Sequence, residues 1–189
     1  MMSILIPCYK EPKVWKMVEA TEKEFPDAQI IVANDRDGRG KGWAIREALS
    51  QAHGDPICFI DGDLDIHPKM IHRLLPFLVD YDIVVGKKQV RGFLRRRIMT
   101  HLSRLYTWIF FGLIYDTQTG IKVFHRHALP EWECNSYAFD LEILKKARNM
   151  GMTIIEVPVE ANINRQISNR AIWRYFLETI KILTHHRYR

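Results

Sequence analysis

Cysteine is scarce in this chain, apolar runs are short, and one long stretch carries no acid. The three cysteines, Cys8, Cys58 and Cys134, lie far apart without metal-ligand spacing, so they read as reduced thiols of a cytosolic protein. Residues 105–115 are nearly all apolar, but this run falls short of the roughly 20 residues that a membrane-spanning helix needs. No secretory leader is visible, since Met1, Met2 and Ser3 run straight into a strand-like segment. Repeats, linkers and low-complexity tracts are missing too. At 189 residues, with 47% hydrophobic and 26% charged content, the chain reads as one globular domain with a substantial core.

The acid-free stretch is residues 87–115, which holds seven Lys or Arg; residues 165–189 hold six against Glu178 alone. Those two segments carry +7 and +5 of a net charge of +6, leaving −6 on the remainder. The basicity is therefore local and points to anionic partners at particular surfaces.

What is present is a regular alternation. Strand patterns fall at 3–7, 29–34, 56–60, 81–86, 120–124 and 153–159, and helical patterns at 13–25, 43–52, 69–79, 94–113, 139–150 and 169–184. Pro68 suits the first position of the third helix. Such βαβ alternation predicts an α/β domain with a largely parallel sheet flanked by helices.

Directly after the apolar run 56–60 come Asp61, Asp63 and Asp65. In open α/β sheets ligands bind at the carboxyl ends of the strands. Clustered carboxylates repel one another unless a cation neutralises them, and hard divalent cations commonly bridge such oxygens to substrate phosphates. A solvated acidic turn is the other reading of an isolated D-x-D.

The order IPCYKEP (6–12), VAND (32–35), GRGKG (38–42), FIDGDLDIHP (59–68), YDIVVGKK (81–88), DTQTGIKVF (116–124), YAFDLEIL (137–144) and IIEVPVE (154–160) resembles the family-2 glycosyltransferases of GT-A fold. Among them it is most similar to the dolichyl- or polyprenyl-phosphate sugar synthases. Residues 137–142 resemble the dolichyl-phosphate beta-glucosyltransferase branch in particular. The resemblance runs from Ser3 to about Ser168 and implies a single Rossmann-like GT-A domain.

It also implies an inverting, metal-dependent hexosyl transfer from a nucleoside-diphosphate sugar to a polyprenyl phosphate, with UDP-glucose the favoured donor and GDP-mannose the second. On this likeness Asp63 and Asp65 hold Mg2+ or Mn2+, and Asp61 faces the donor. Pro7, Tyr9 and Glu11 frame the nucleotide, Asp35 reads base or ribose, and Lys41 and Lys88 approach phosphate. Arg95, Arg96, Arg97 and Arg104 hold the acceptor phosphate, with Arg97 and Arg104 beside the chemistry. Asp140 and Glu142 act near the sugar; as bland alternatives, both acids also suit a helix start, worth about 0.3–1 kcal/mol each, and an Arg-rich helix can be a solvated face. The chain departs from its relatives between Asp35 and Gly40, where a helix and strand are usually inserted.

Two other readings stay open. One is transfer to a glycan hydroxyl with Asp140 as general base. The other is a basic module binding nucleic acid or anionic membrane, which leaves the acidic triplet unused; no nucleic-acid partner is expected. Nucleotidyl transfer would call for a Gly-rich loop ending in Arg after the first strand, unlike Pro7-Cys8-Tyr9-Lys10-Glu11.

Residues 105–115, preceded by arginines and rich in Trp, Tyr and Phe, suit a helix lying in a membrane interface; a core helix is the competing reading. In the last helix Trp173, Phe176, Leu177, Ile180 and Leu183 share one face, opposite Arg170, Arg174, Glu178, Lys181 and His185, an amphipathic pattern that fits either capping the core or lying on a membrane. The expectation is a peripheral enzyme on the cytosolic face of a membrane.

Overall fold

The computed structural model describes residues 1–89, 94–113, 115–162 and 169–185; the side chains of 94–100, 169–174 and 185 lie outside the description. Six strands form one sheet: β1 (Ser3–Cys8), β2 (Gln29–Asn34), β3 (Ile57–Ile60), β4 (Ile83–Lys88), β5 (Ile121–Phe124) and β6 (Ile154–Val159). The helices are α1 (Val14–Glu24), α2 (Lys41–Leu49), α3 (Ile71–Leu74), α4 (Leu94–Phe111), α5 (Phe139–Asn149) and α6 (Asn169–His185). The sheet order is β2-β1-β3-β5-β4-β6. Pairs β1–β2, β1–β3 and β4–β6 are parallel, as the alternation predicts.

The exception, β5, runs antiparallel to both β3 and β4. Its reversal decides where the site forms. Residues 116–120, which precede β5, arrive at the same sheet edge that β3 leaves, so Gly120 stands beside Asp61. The Asp61 N–H donates to the Gly120 carbonyl at 2.8 Å.

Alternating side chains give the sheet two apolar faces. Leu5, Ile57, Phe59, Ile83, Val85 and Phe124 pack with α2 and α5 residues such as Ala44, Ile45, Phe139 and Leu144. Ile4, Ile6, Cys58, Ile60, Val84 and Val123 pack with Val14, Met17, Ile71 and Leu74. Ile57 and Ile60 of β3 are at most 1% exposed; each such side chain contributes about 1.5–3 kcal/mol, which pins the strand that carries the acids.

Two local expectations are corrected. The continuous helix at 69–79 is broken into a 3-10 turn, the single turn α3 and a second 3-10 segment, Leu75–Val79. Pro76 is the cause: it lacks an N–H, and its ring crowds the carbonyl four residues back. Second, α2 begins at Lys41 rather than Trp43, which makes Lys41 its first helical residue. Helix α6 is rotated so that its apolar face is divided between core and surface. It buries Thr179 and Ile182, while Phe176, Leu177 and Ile180 are 39%, 57% and 39% exposed. Tyr106 of α4 fixes this rotation through a 2.8 Å hydrogen bond to Thr179 Oγ1 and ring contact with Phe176.

Residues 105–115 divide in the same way. Thr107, Phe111 and Leu113 are buried, whereas Leu105, Trp108, Ile109 and Phe110 are exposed together with Leu102. Among the described residues no helix is long and apolar enough to cross a membrane.

Candidate active site

At the carboxyl end of β3, Asp61, Asp63, Asp65, Ile66, Lys88 and Gly120 line one cleft of about 50 Å³. Gly120 is required there, because a Cβ would run into the Asp61 carboxylate. Asp63 Oδ1 accepts the Asp65 N–H at 3.0 Å, and the Asp65 carbonyl accepts the Asn162 N–H at 2.7 Å. Between the two acids Leu64 adopts φ 61°, a left-handed conformation costly for a branched side chain and characteristic of functional turns. Lys88, at the end of β4, donates to the Gln118 carbonyl at 3.0 Å, which keeps a cation at the rim of the acidic cleft.

Lys41 meets the cleft's Asp61. Gly40 and Gly42 on either side of it pack so closely on the backbone of Asn135 and Cys134 that a Cβ at either would overlap a carbonyl. The first turn of α2 is thus pressed against the segment leading to α5, and the Trp43 N–H donates to the Asn135 carbonyl at 3.1 Å. Lys41 Nζ then lies 2.7 Å from Asp61 Oδ1 and 3.6 Å from Asp140 Oδ2. Burial alone would lower the Lys41 pKa, but the two carboxylates outweigh it and hold it above the ordinary lysine value. Burial likewise opposes ionisation of Asp61, yet Lys41 beside it and Lys88 and Lys122 beyond keep its pKa below the usual carboxylate range.

Asp140 also meets Lys122, a β5 residue that the sequence reading does not single out. Lys122 Nζ is 2.8 Å from Asp140 Oδ1 and donates to the Thr119 carbonyl at 2.6 Å. The side chain is 2% exposed, and burial pulls its pKa below the ordinary lysine value despite the Asp140 carboxylate. The available signal was a lone lysine inside the apolar run Ile121–Phe124, which must have a buried anion as partner.

Other expected site residues are engaged elsewhere. Both oxygens of Asp35 accept backbone N–H groups of the Gly-rich loop, from Arg39 at 2.7 Å and Gly40 at 2.8 Å. Glu142 accepts the N–H groups of Glu133 and Cys134 at 3.0 and 2.8 Å and pairs with Lys146 at 2.8 Å. It therefore ties α5 to the 133–134 loop instead of joining the Asp61–Lys41–Asp140 group. Arg104 Nη2 donates to both oxygens of Glu156, at 2.7 and 2.5 Å. Glu156, unmarked in the sequence reading, also meets Lys87 at 3.5 Å and accepts the Asp116 N–H, binding α4, β4 and the 116–120 loop together. The side chains of Arg95, Arg96 and Arg97, in the first turns of α4, lie outside the described residues.

Pro7 sits opposite Ala33 in the β1–β2 ladder. Tyr9 is 53% exposed, with its ring beside Gly38. Glu11 Oε1 accepts the Lys13 N–H at 3.2 Å. Glu11 also lines a groove of about 530 Å³ with Lys10, Trp15 and Arg36. That groove opens on Cys8, Val32 and Asn34, the sheet face that α1 covers.

Among the described residues no three His, Cys, Asp or Glu side chains converge to hold a metal ion. An all-protein cage is thereby absent from the described residues. Two turn carboxylates in a narrow cleft fit a cation of the Mg2+ type, which binds through one or two acids and completes its shell with water and phosphate.

Residues 23–131 match Glycosyl transferase family 2. The chain belongs to that family. A dolichyl-phosphate beta-glucosyltransferase of Dictyostelium discoideum is 26% identical over 162 residues, covering 76% of this chain and 50% of that protein. An undecaprenyl-phosphate mannosyltransferase of Micrococcus luteus is 24% identical over 150 residues, covering 72% and 61%. The chain thus spans only half to three-fifths of the length of these two relatives. In fold it is similar to glucosyl-3-phosphoglycerate synthase of Mycobacterium tuberculosis, solved in complex with Mn2+ and UDP-glucose. That likeness has a TM-score of 0.77 at 18% identity and covers 97% of this chain and 77% of that one. The family-2 membership and GT-A architecture read from the motifs therefore hold.

Proposed function

We propose that this family-2 member is an inverting glycosyltransferase that moves glucose from UDP-glucose to a polyprenyl phosphate, with GDP-mannose as the second candidate donor. The observation that carries the reading is the cleft at the end of β3, where Asp61, Asp63 and Asp65 meet Lys88, with Lys41 paired to Asp61. Asp63 and Asp65 are the residues that would hold Mg2+ or Mn2+, which when bound neutralises charge on the departing diphosphate. Lys41 and Lys88 supply fixed positive charge at the same edge, where negative charge develops as the sugar–phosphate bond breaks. Asp61, held as a carboxylate by Lys41, faces the donor sugar. Pro7, Tyr9 and Glu11 frame the nucleotide, and Asp35 shapes the Gly-rich loop beside it.

A phosphate oxygen is already an anionic nucleophile, so the acceptor needs orientation more than deprotonation. Asp140 fits that economy. Both its oxygens face ammonium groups, at 2.8 and 3.6 Å, so taking up an acceptor proton would sacrifice both pairings. This argues against a hydroxyl acceptor with Asp140 as base. Arg95, Arg96 and Arg97 are assigned to the acceptor phosphate, while Arg104, bound to Glu156, orients α4.

A lipid acceptor also calls for a membrane-facing surface. Leu105, Trp108, Ile109 and Phe110 on α4 and Leu177 on α6 supply exposed apolar groups suited to an interface. Flotation with anionic vesicles checks this: the wild type should float, and Trp108→Glu/Ile109→Glu should remain with the unbound protein at unchanged Tm. Flotation of that variant at the wild-type level would remove the surface from the proposal.

Calorimetric titration of UDP-glucose and GDP-mannose with Mn2+ tests the donor assignment. UDP-glucose is expected to bind at least about tenfold more tightly, a difference of about 1.4 kcal/mol. Tighter binding of GDP-mannose would reassign the donor, and absence of binding by either would overturn the proposal.

A further inference from the structure

Charges running from the cleft into the core form a chain of alternating sign. Asp61 meets Lys41 at 2.7 Å, Lys41 meets Asp140 at 3.6 Å, and Asp140 meets Lys122 at 2.8 Å. Four different parts of the fold contribute one member each: the turn after β3, the first residue of α2, the first turn of α5, and β5. Lys122 is the anchor of this chain. It is the most buried of the four, at 2% side-chain exposure against 36%, 18% and 9% for Asp61, Lys41 and Asp140. Its second bond, 2.6 Å to the Thr119 carbonyl, fixes the ammonium to the backbone segment that also carries Gly120, the residue against which Asp61 rests.

We propose that Lys122 is a positioning residue for glycosyl transfer, which aims Asp140 at Lys41 and through it sets the place of Lys41 on Asp61. This inference rests on the proposed transfer reaction and deepens it. A buried carboxylate deprived of one partner either takes up a proton or turns toward another donor. The phenol of Tyr175 on α6 feels the charge of Asp140, and it offers no cation in exchange. Without Lys122, Asp140 keeps Lys41 as its one ammonium partner among the described residues, at 3.6 Å, and Lys41 loses its fixed approach to Asp61. Lys122 lies behind Asp140, so its ion-paired route to Lys41 and Asp61 runs through that acid.

A double-mutant cycle on the full chain tests this, with Lys122→Met, Asp140→Asn and the pair together. Glucose transfer from UDP-glucose to a short polyprenyl phosphate is the assay, and kcat and donor KM are read separately. Lys122→Met is expected to lower kcat about 100-fold in the wild-type background and less than about threefold in the Asp140→Asn background, the non-additivity of residues that act as a unit. Donor KM should move by less than about threefold throughout. Multiplicative losses overturn the inference, since Lys122 would then act independently of Asp140. A fall in Tm with kcat within about threefold of wild type also overturns it, because the lysine would be merely structural.

If Lys122→Met alone does not fold, the neutral pair decides. A stable double variant as slow as Asp140→Asn supports the inference, and one that regains wild-type kcat overturns it. A wild type that transfers no sugar to any acceptor defeats the proposed function and this inference together. An active wild type with an additive cycle defeats the inference alone.

Discussion

An Asp63→Ala enzyme is expected to transfer sugar about 10³-fold more slowly than the wild type, a loss of about 4 kcal/mol of transition-state stabilisation. Asp63 and Asp65 are two adjacent turn carboxylates in a cleft that also contains Lys88. Removing Asp63 takes away one of the two carboxylates proposed to hold a divalent cation, and the departing diphosphate loses the charge that such a cation provides. Asp63 Oδ1 accepts the Asp65 N–H at 3.0 Å, and such a bond contributes about 1 kcal/mol. Circular dichroism at wild-type amplitude with Tm lowered by a few degrees, alongside the rate loss, is the expected combination. Equal turnover by wild type and variant, with and without EDTA, would remove the acidic turn from the chemistry.

Lys41→Met is the second large effect, and it strikes stability as well as rate. Lys41 stands between Asp61 and Asp140, so the variant leaves two carboxylates with no cation between them. Breaking a buried pair from one side costs about 3–5 kcal/mol. Asp61 is about a third exposed, so water shares the burden and about 2–3 kcal/mol is expected here. Urea unfolding should show a lowered midpoint at unchanged slope. Adding Asp61→Asn to Lys41→Met should recover part of that stability by removing one stranded charge, while transfer stays at least about 100-fold below wild type. A Lys41→Met protein of wild-type stability would contradict the distances of 2.7 and 3.6 Å that define the cluster.

Much of the fold was legible because period-2 and period-3.6 patterns survive in the apolar residues. Strand direction was not. Ile121–Phe124 is short and buried on both faces, and such a run carries no mark of its orientation, so the reversal of β5 had to come from the structure. The broken helix at Pro76 was legible in principle, since an interior proline is incompatible with a continuous helix. The rotation of α6 was not, because Thr179 is buried for its bond to the Tyr106 hydroxyl and hydropathy assigns threonine to solvent.

At the site, the acidic turn and its flanking Lys41 and Lys88 were readable from spacing and resemblance, and they do meet. What sequence could not distinguish is which polar residues face the cleft and which hold the backbone. Asp35 and Glu142 accept backbone N–H groups, and Arg104 is paired with Glu156. The N–H groups that Asp35 and Glu142 accept lie on loops, and Glu156 is distant in sequence from Arg104. Lys122 shows the converse. A lysine in a strand interior reads as an exception to the apolar pattern, and only the fold reveals that Asp140 stands across from it.

The most direct test is recovery of labelled glucose in the lipid phase after incubating the protein with UDP-[14C]glucose, a short polyprenyl phosphate and Mn2+, alongside free glycan acceptors. The expected result is an acid-labile glucosyl lipid whose formation requires the metal and falls about 10³-fold with Asp63→Ala. Label recovered only in glycan, or lipid labelling that persists undiminished in EDTA and in Asp63→Ala, would contradict metal-assisted transfer to a lipid phosphate at the end of β3.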